Sequence, residues 1–226
     1  ATDRTDDSER RVDLPTIFDR FAAKGIPAAY YYGTFAFLLL YQRYQAISHP
    51  HSRFFAQCKT GKLPAFSYID PNWTFQDSGP ASGSEGNDDH PHADIRAGEY
   101  FLSTIYNAVT RSPAWPRTLL VITFDEWGGF FDHVPPPVAA GDGVQRGFRV
   151  PCLLISPFAR RGYVAHGVYD HTSILKLVEW RWGLAPLTAR DAAAPNLATA
   201  LDFSRRNLTA PRIAAPRVLA GAACPA

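Results

Sequence analysis

A chain of 226 residues, 46% hydrophobic, 13% aromatic and only 19% charged, has the composition of a folded globular protein and can bury a sizeable core. Its 23 basic residues against 21 acidic ones leave a formal net charge of +2, which excludes a broad electrostatic footprint for nucleic acid. The longest apolar run, FAFLLLY at 35–41, is far short of the roughly 18 residues that mark a transmembrane helix, so no such segment is expected.

Cys58, Cys152 and Cys224 have no CxxC spacing, so neither a zinc site nor a disulfide framework is implied, and at most one disulfide and one free thiol can form. Methionine is absent, and the opening ATDRTDDSERR is charged with no apolar signal region. Either the chain starts after processing or it is a fragment; chance absence in an Ala- and Arg-rich sequence is the other reading of the missing methionine. Residues 1–12 are expected to be a flexible N-terminal segment.

In chain order, Asp13 followed by LPTIFDRFAAKG predicts a helix with an Asp cap, Pro15 in its first turn and Gly25 at its end. IPAAYYYG at 26–33 and LPAFSYID at 63–70 predict short strands, with the helix-like FAFLLLYQRYQAIS between them. QDSGPASGSEGNDD at 76–89 is a polar loop near the upper limit of ordered loop lengths, and so is read as functional or mobile. The apolar spacing of Ile95, Phe101, Leu102, Ile105, Tyr106 and Val109 predicts a long helix after it. TLLVITF at 118–124 is continuously apolar, as in a strand covered on both faces in a parallel sheet, and VPCLLIS at 150–156 is its twin. TSILKLVEWRWGL at 172–184 and TARDAAAPNLATAL at 188–201 predict Thr-capped helices, and residues 207–226 form an Ala- and Pro-rich tail. Strands alternating with helices predict an α/β architecture with a mostly parallel sheet.

The densest chemistry lies in TFDEWGGFFDHVPPP, directly behind the first apolar strand. In open α/β sheets ligands bind beyond the carboxyl ends of strands, which is where Asp125 and Glu126 fall. Two adjacent carboxylates repel each other and lose solvation unless a divalent cation joins them. Gly128 and Gly129 permit a tight turn that returns Asp132 and His133 to the same rim, and Pro135 to Pro137 stiffen the exit. The plainer alternative is an Asp-Glu pair in a solvated turn.

FDEWGGFFDHVPPP resembles the D-E-x-G-G-F-x-D-H-V-x-P-P signature of the phosphoesterase family, which includes bacterial phospholipases C and acid phosphatases. DDHPHADIRAGE at 88–99 resembles its D-E-H-P-x-x-D-x-x-x-G segment, and LPAFSYIDPNW its L-P-x-x-S-F-x-x-P segment. GFRVPCLLISPFARRG at 147–162 and YDHTSILKLVEWRWGL at 169–184 resemble two later blocks in the same order, so the resemblance covers about 13–202. It implies a phosphate-ester hydrolase on an alkaline-phosphatase-like, three-layer α/β sandwich. Residues 13–206 would be the C-terminal part of that domain, incomplete without an N-terminal half.

Carried over by position, Asp125 and Glu126 resemble metal ligands, and His90 an active-site histidine that contacts phosphate or protonates the leaving group. Asp132 and His133 resemble rim residues of the same site, and His171 a further imidazole at a helix start. His133 also fits a turn cap, and His171 an ordinary cap-region residue beside Asp170, the better cap. His49, His51, His92 and His166 are read as surface residues, Trp127 as a packed aromatic, and Arg149 as structural or as a carboxylate's partner. Oxygen ligands suit Ca²⁺ or Mg²⁺, whereas the histidines leave Zn²⁺ open.

The chain departs from the family pattern in lacking the E-N-R-S-F-D-H-like segment and a downstream Ser or Thr nucleophile. It therefore resembles a C-terminal portion with about half of the metal shell. The expected partners are a small phosphate ester or phospholipid headgroup and an N-terminal chain of the same protein. The resemblance implies export, secreted or periplasmic. A non-catalytic protein that keeps half of the fold to bind an anion or a partner is the alternative.

Overall fold

Thr16, not Asp13, starts the first helix. The Thr16 side chain accepts the Phe18 amide and Asp19 reaches back to the Thr16 amide, a reciprocal cap that places helix α1 at Ile17–Ala23 and leaves Pro15 ahead of it. The structure is a computed structural model that describes residues 13–73, 86–91 and 93–216. Residues 76–85 of the 76–89 loop, His92, the segment 1–12 and the end of the tail lie outside the described residues. The chain divides into two compact units, one holding 14–26 and 119–208, the other 27–118 and 209–216.

In the second of these, β1 (Ala28–Tyr32) is the central strand of a parallel sheet, flanked by β2 (Ser48–Pro50) and β3 (Phe66–Ile69). Being central, β1 reads apolar without alternation, and Ala29, Tyr30 and Tyr31 are all buried. The register places Tyr30 opposite Tyr68, and their rings stack with centroids 5.2 Å apart. The helix expected over 35–48 forms only two 3-10 turns, Phe37–Tyr41 and Gln45–Ile47. Gln42 between them has φ 56, a left-handed backbone that ends the first turn. Helix α2 (His51–Thr60), which sequence reasoning passed over, is closed by left-handed Gly61 and buries Phe54 and Cys58. Helix α3 (Ile95–Thr110) is capped by Asp94 and buries Ile105, Tyr106 and Val109 of the predicted stripe, whereas Phe101 and Leu102 are half-buried and Ile95 is exposed. The described part of the tail, 207–216, is irregular, as expected, yet tied down: Tyr106 and Asn107 donate to the carbonyls of Pro211 and Ile213.

In the other unit, β4 (Leu120–Thr123) and β5 (Cys152–Ile155) pair with each other, and the pairing is antiparallel, not parallel. A parallel return needs a crossover, usually a helix, whereas residues 124–151 contain no helix and come back as a broad loop. Both strands are half-buried or exposed, unlike the two-sided burial that their composition predicts. Among the described residues the architecture is thus mixed α/β, with a three-stranded parallel sheet, an antiparallel pair and five α-helices. Helix α4 (His171–Trp182) is capped by Asp170, and Phe21 of α1 packs edge-on against its Trp182 at 5.2 Å. The helix predicted over 188–201 starts at its Thr188 cap but ends at Ala193, because Pro195 has no amide to continue it; a 3-10 turn follows at Leu197–Ala200. Cys58 is a buried free thiol and Cys152 an exposed one, while Cys224 lies outside the described residues. No described helix is long and apolar enough to cross a membrane.

Candidate active site

The strand β4 ends at Thr123, whose hydroxyl donates to the Pro151 carbonyl at 3.0 Å, so the two mouths of the 124–151 loop are joined. Asp125 and Glu126 follow after Phe124 and are exposed. Glu126 Oε2 accepts the Gly128 amide at 2.8 Å. Asp125 has no hydrogen bond or ion pair with any described residue, so both of its oxygens are uncommitted. Gly128 and Gly129 have φ of 71 and 77, the left-handed pair that reverses the chain as the sequence predicts. Trp127 packs edge-on against Phe148 at 5.3 Å, in keeping with its expected role as a packed aromatic.

The turn brings Asp132 under a guanidinium. Arg149 donates from Nε to Oδ2 at 2.7 Å and from Nη2 to Oδ1 at 2.8 Å, and the Val134 amide adds a third bond to Oδ1. The Arg149 fork, helped by that amide, holds the Asp132 carboxyl well below the usual carboxylate range. Asp132 is thereby a clamped anion whose oxygens are already shared. His133 next to it is exposed, with Nδ1 3.7 Å from Asp132 Oδ1. Arg149 was open to either a structural or a carboxylate-holding role, and it takes the second. Its spacing from Asp132 in sequence gave no local signal.

His171 heads α4, and its Nε2 lies 2.7 Å from the carbonyl oxygen of Phe124, the residue before Asp125. Asp170 accepts Thr172 at both its amide and its hydroxyl, and also Arg146 Nε at 2.7 Å. Burial alone would raise the Asp170 carboxyl, but Thr172 and Arg146 outweigh it and hold it low. Arg146 further donates to the Val138 carbonyl, tying the loop to the start of α4.

His90 belongs to the other unit, in the segment 86–91 that precedes α3. Asn72 and Asn87 exchange bonds at 2.6 and 2.9 Å, anchoring this segment to the residues after β3. Nδ1 of His90 lies 3.0 Å from the Pro91 carbonyl. A carbonyl only accepts, so Nδ1 carries the proton and Nε2 is the nitrogen left for other work. Asp89 has φ 58 and lies over Gly98, where an added Cβ would fall 1.9 Å from Asp89 Oδ1. That close approach explains the glycine in DIRAG. Burial first, then the charges of Glu99 and Asp88, push Asp89 up to about 6. Of the histidines expected at the surface, His166 is exposed and His49 half-buried; His51 is half-buried too, bonded to the Asp70 carbonyl at 2.6 Å, and burial lowers its pKa.

Comparison with known proteins decides the affiliation. The Phosphoesterase family matches residues 2–185. The chain belongs to the phosphoesterase family. Among its relatives are non-specific phospholipase C3 of Arabidopsis thaliana, 33% identical over 90% of this chain, and non-specific phospholipase C1 of the same plant, 34% identical over 79%. Phospholipase C B of Mycobacterium tuberculosis (strain CDC 1551 / Oshkosh) is 32% identical over 71%. The chain spans 43%, 38% and 34% of the length of these three relatives. Within the family signature, Asp125 and Glu126 offer hard oxygen donors, but among the described residues no group of three or more His, Cys, Asp or Glu is arranged to hold a metal ion. Two carboxylates are hard oxygen donors, and two are fewer than a hard divalent cation takes.

Proposed function

We propose that this chain is part of a phospholipase C-type hydrolase of phosphate esters. The observation that carries the proposal is the uncommitted Asp125 carboxylate beside Glu126, at the carboxyl end of β4 within the family signature. Relatives named phospholipase C support the phosphodiester class over a simple phosphatase.

In this proposal Asp125 and Glu126 hold a divalent cation, with further ligands from outside these residues. Such an ion, when bound, would polarise phosphoryl oxygens. His90, in the other unit, has the chemistry to supply or receive a proton at Nε2, the nitrogen its Pro91 bond leaves open. Asp132 holds Arg149 and so sets the shape of the rim, while exposed His133 stands where a polar headgroup can approach. The nucleophile and an N-terminal chain that completes an alkaline-phosphatase-like sandwich belong to the same proposal, as does export from the cell.

The test is hydrolysis of p-nitrophenyl phosphorylcholine and p-nitrophenyl phosphate by the native protein, with EDTA and after restoring Ca²⁺, Mg²⁺ or Zn²⁺. Turnover of the choline ester that EDTA abolishes and one ion restores supports the reading. Asp125→Asn should then lower kcat/KM by about 10² or more, the size of an electrostatic contribution to phosphoryl transfer. No turnover by a preparation that still binds the ester would replace it with the non-catalytic binding protein.

A further inference from the structure

We propose that His171 is a positioning residue that fixes the peptide step into Asp125, and not a proton donor to substrate; this rests on the hydrolase reading above. The decisive contact is the 2.7 Å approach of His171 Nε2 to the Phe124 carbonyl oxygen. A carbonyl has no proton to give, so Nε2 is the donor in every charge state of the ring, and that proton is committed to the backbone.

The position of the bond matters more than its strength. Phe124 is the first residue beyond β4, and Asp125 and Glu126 follow it directly. Fixing the Phe124 carbonyl fixes the plane of the peptide that carries the Asp125 amide. The chain here leaves a ladder that ends at the Thr123–Cys152 pair and enters a loop without a helix, so no regular bond sets the direction of the carboxylates. The anchor itself is rigid. His171 is the first residue of a twelve-residue helix whose start is locked by Asp170, which binds Thr172 and Arg146, and Arg146 grips the Val138 carbonyl. The first turn of α4 therefore holds the acidic loop at two points, Phe124 directly and Val138 through Arg146.

Two substitutions separate positioning from acid catalysis. In His171→Gln the amide nitrogen reaches about as far as Nε2 and keeps a donor, whereas in His171→Asn the shorter amide imitates Nδ1 and cannot reach the carbonyl. On the chain with ¹⁵N label, positioning predicts that the amide signals of Asp125 and Glu126 shift in His171→Asn and return toward wild type in His171→Gln, with α4 signals dispersed in both. On the native hydrolase, His171→Gln should keep kcat/KM within about threefold and leave the pH profile unchanged, while His171→Asn loses roughly ten- to a hundredfold, the cost of misplaced groups. If His171 were the proton donor, both variants would lose about 10² to 10⁴ and one limb of the profile would vanish, which would overturn the proposal. Unmoved Asp125 and Glu126 signals in His171→Asn would overturn it equally. If no preparation hydrolyses either ester, the hydrolase reading fails while the spectra still decide whether His171 holds the turn.

Discussion

Glutamine at position 179 should stabilise this protein at alkaline pH and leave it unchanged in mild acid. Glu179 on α4 is 4% exposed, and Asp191 in the helix Ala189–Ala193, held by the amides of Leu187 and Thr188, is fully buried. Burial, then the hydrogen bond and charge of Asp191, push Glu179 from an ordinary 4.5 up to about 7. Burial alone would also raise Asp191, but its bonds to Glu179, Thr188 and the Leu187 amide hold it low, so the proton of the pair resides on Glu179. Between pH 4.5 and 7 the folded state keeps that proton and the unfolded chain has lost it, so stability falls as pH rises through this window. At about 1.4 kcal/mol per unit the ceiling is on the order of 3 kcal/mol. Solvent screening reduces it to on the order of 1–2 kcal/mol. Glu179→Gln donates to Asp191 with no proton to lose. Urea unfolding followed by tryptophan emission should show the variant within about 0.5 kcal/mol of wild type at pH 5 and about 1–2 kcal/mol more stable at pH 8, a rise of roughly 2–8 °C in Tm. The same difference at both pH values would refute the reasoning.

Gly141→Ala would bring a Cβ within 2.2 Å of the Ala189 carbonyl oxygen, a backbone atom that cannot step aside, and should cost about 1–3 kcal/mol in urea unfolding. Phe54→Ala empties a site that is 1% exposed beneath β1 and should cost roughly 3–5 kcal/mol by the same assay. Arg149→Met leaves Asp132 without its fork, and faster protease nicking of the 128–148 loop is expected; unchanged nicking would mean that the fork does not order the loop.

Much of this protein was determined locally. The buried end of the α3 stripe, the glycine pair after Trp127 and the placement of Asp125 and Glu126 beyond a strand all follow from short-range chemistry, and the sequence alone shows them. The family, too, was legible, because a fourteen-residue signature binds many residue types to one turn. Where local signals compete, the reading erred. Asp13 and Thr16 are both good caps, and only Thr16 has an acid three residues on to close the box. The aromatic stretch 35–48 is apolar enough for a helix, but left-handed Gln42 breaks it. Tertiary structure decided what lies far apart in sequence: that β4 and β5 run antiparallel, that Arg149 closes on Asp132, and that His171 reaches a carbonyl 47 residues away. Composition makes a strand or an imidazole available, but strand direction depends on the route of the connecting loop. The role of a histidine depends on which nitrogen is already engaged, and neither is encoded in the residues nearby.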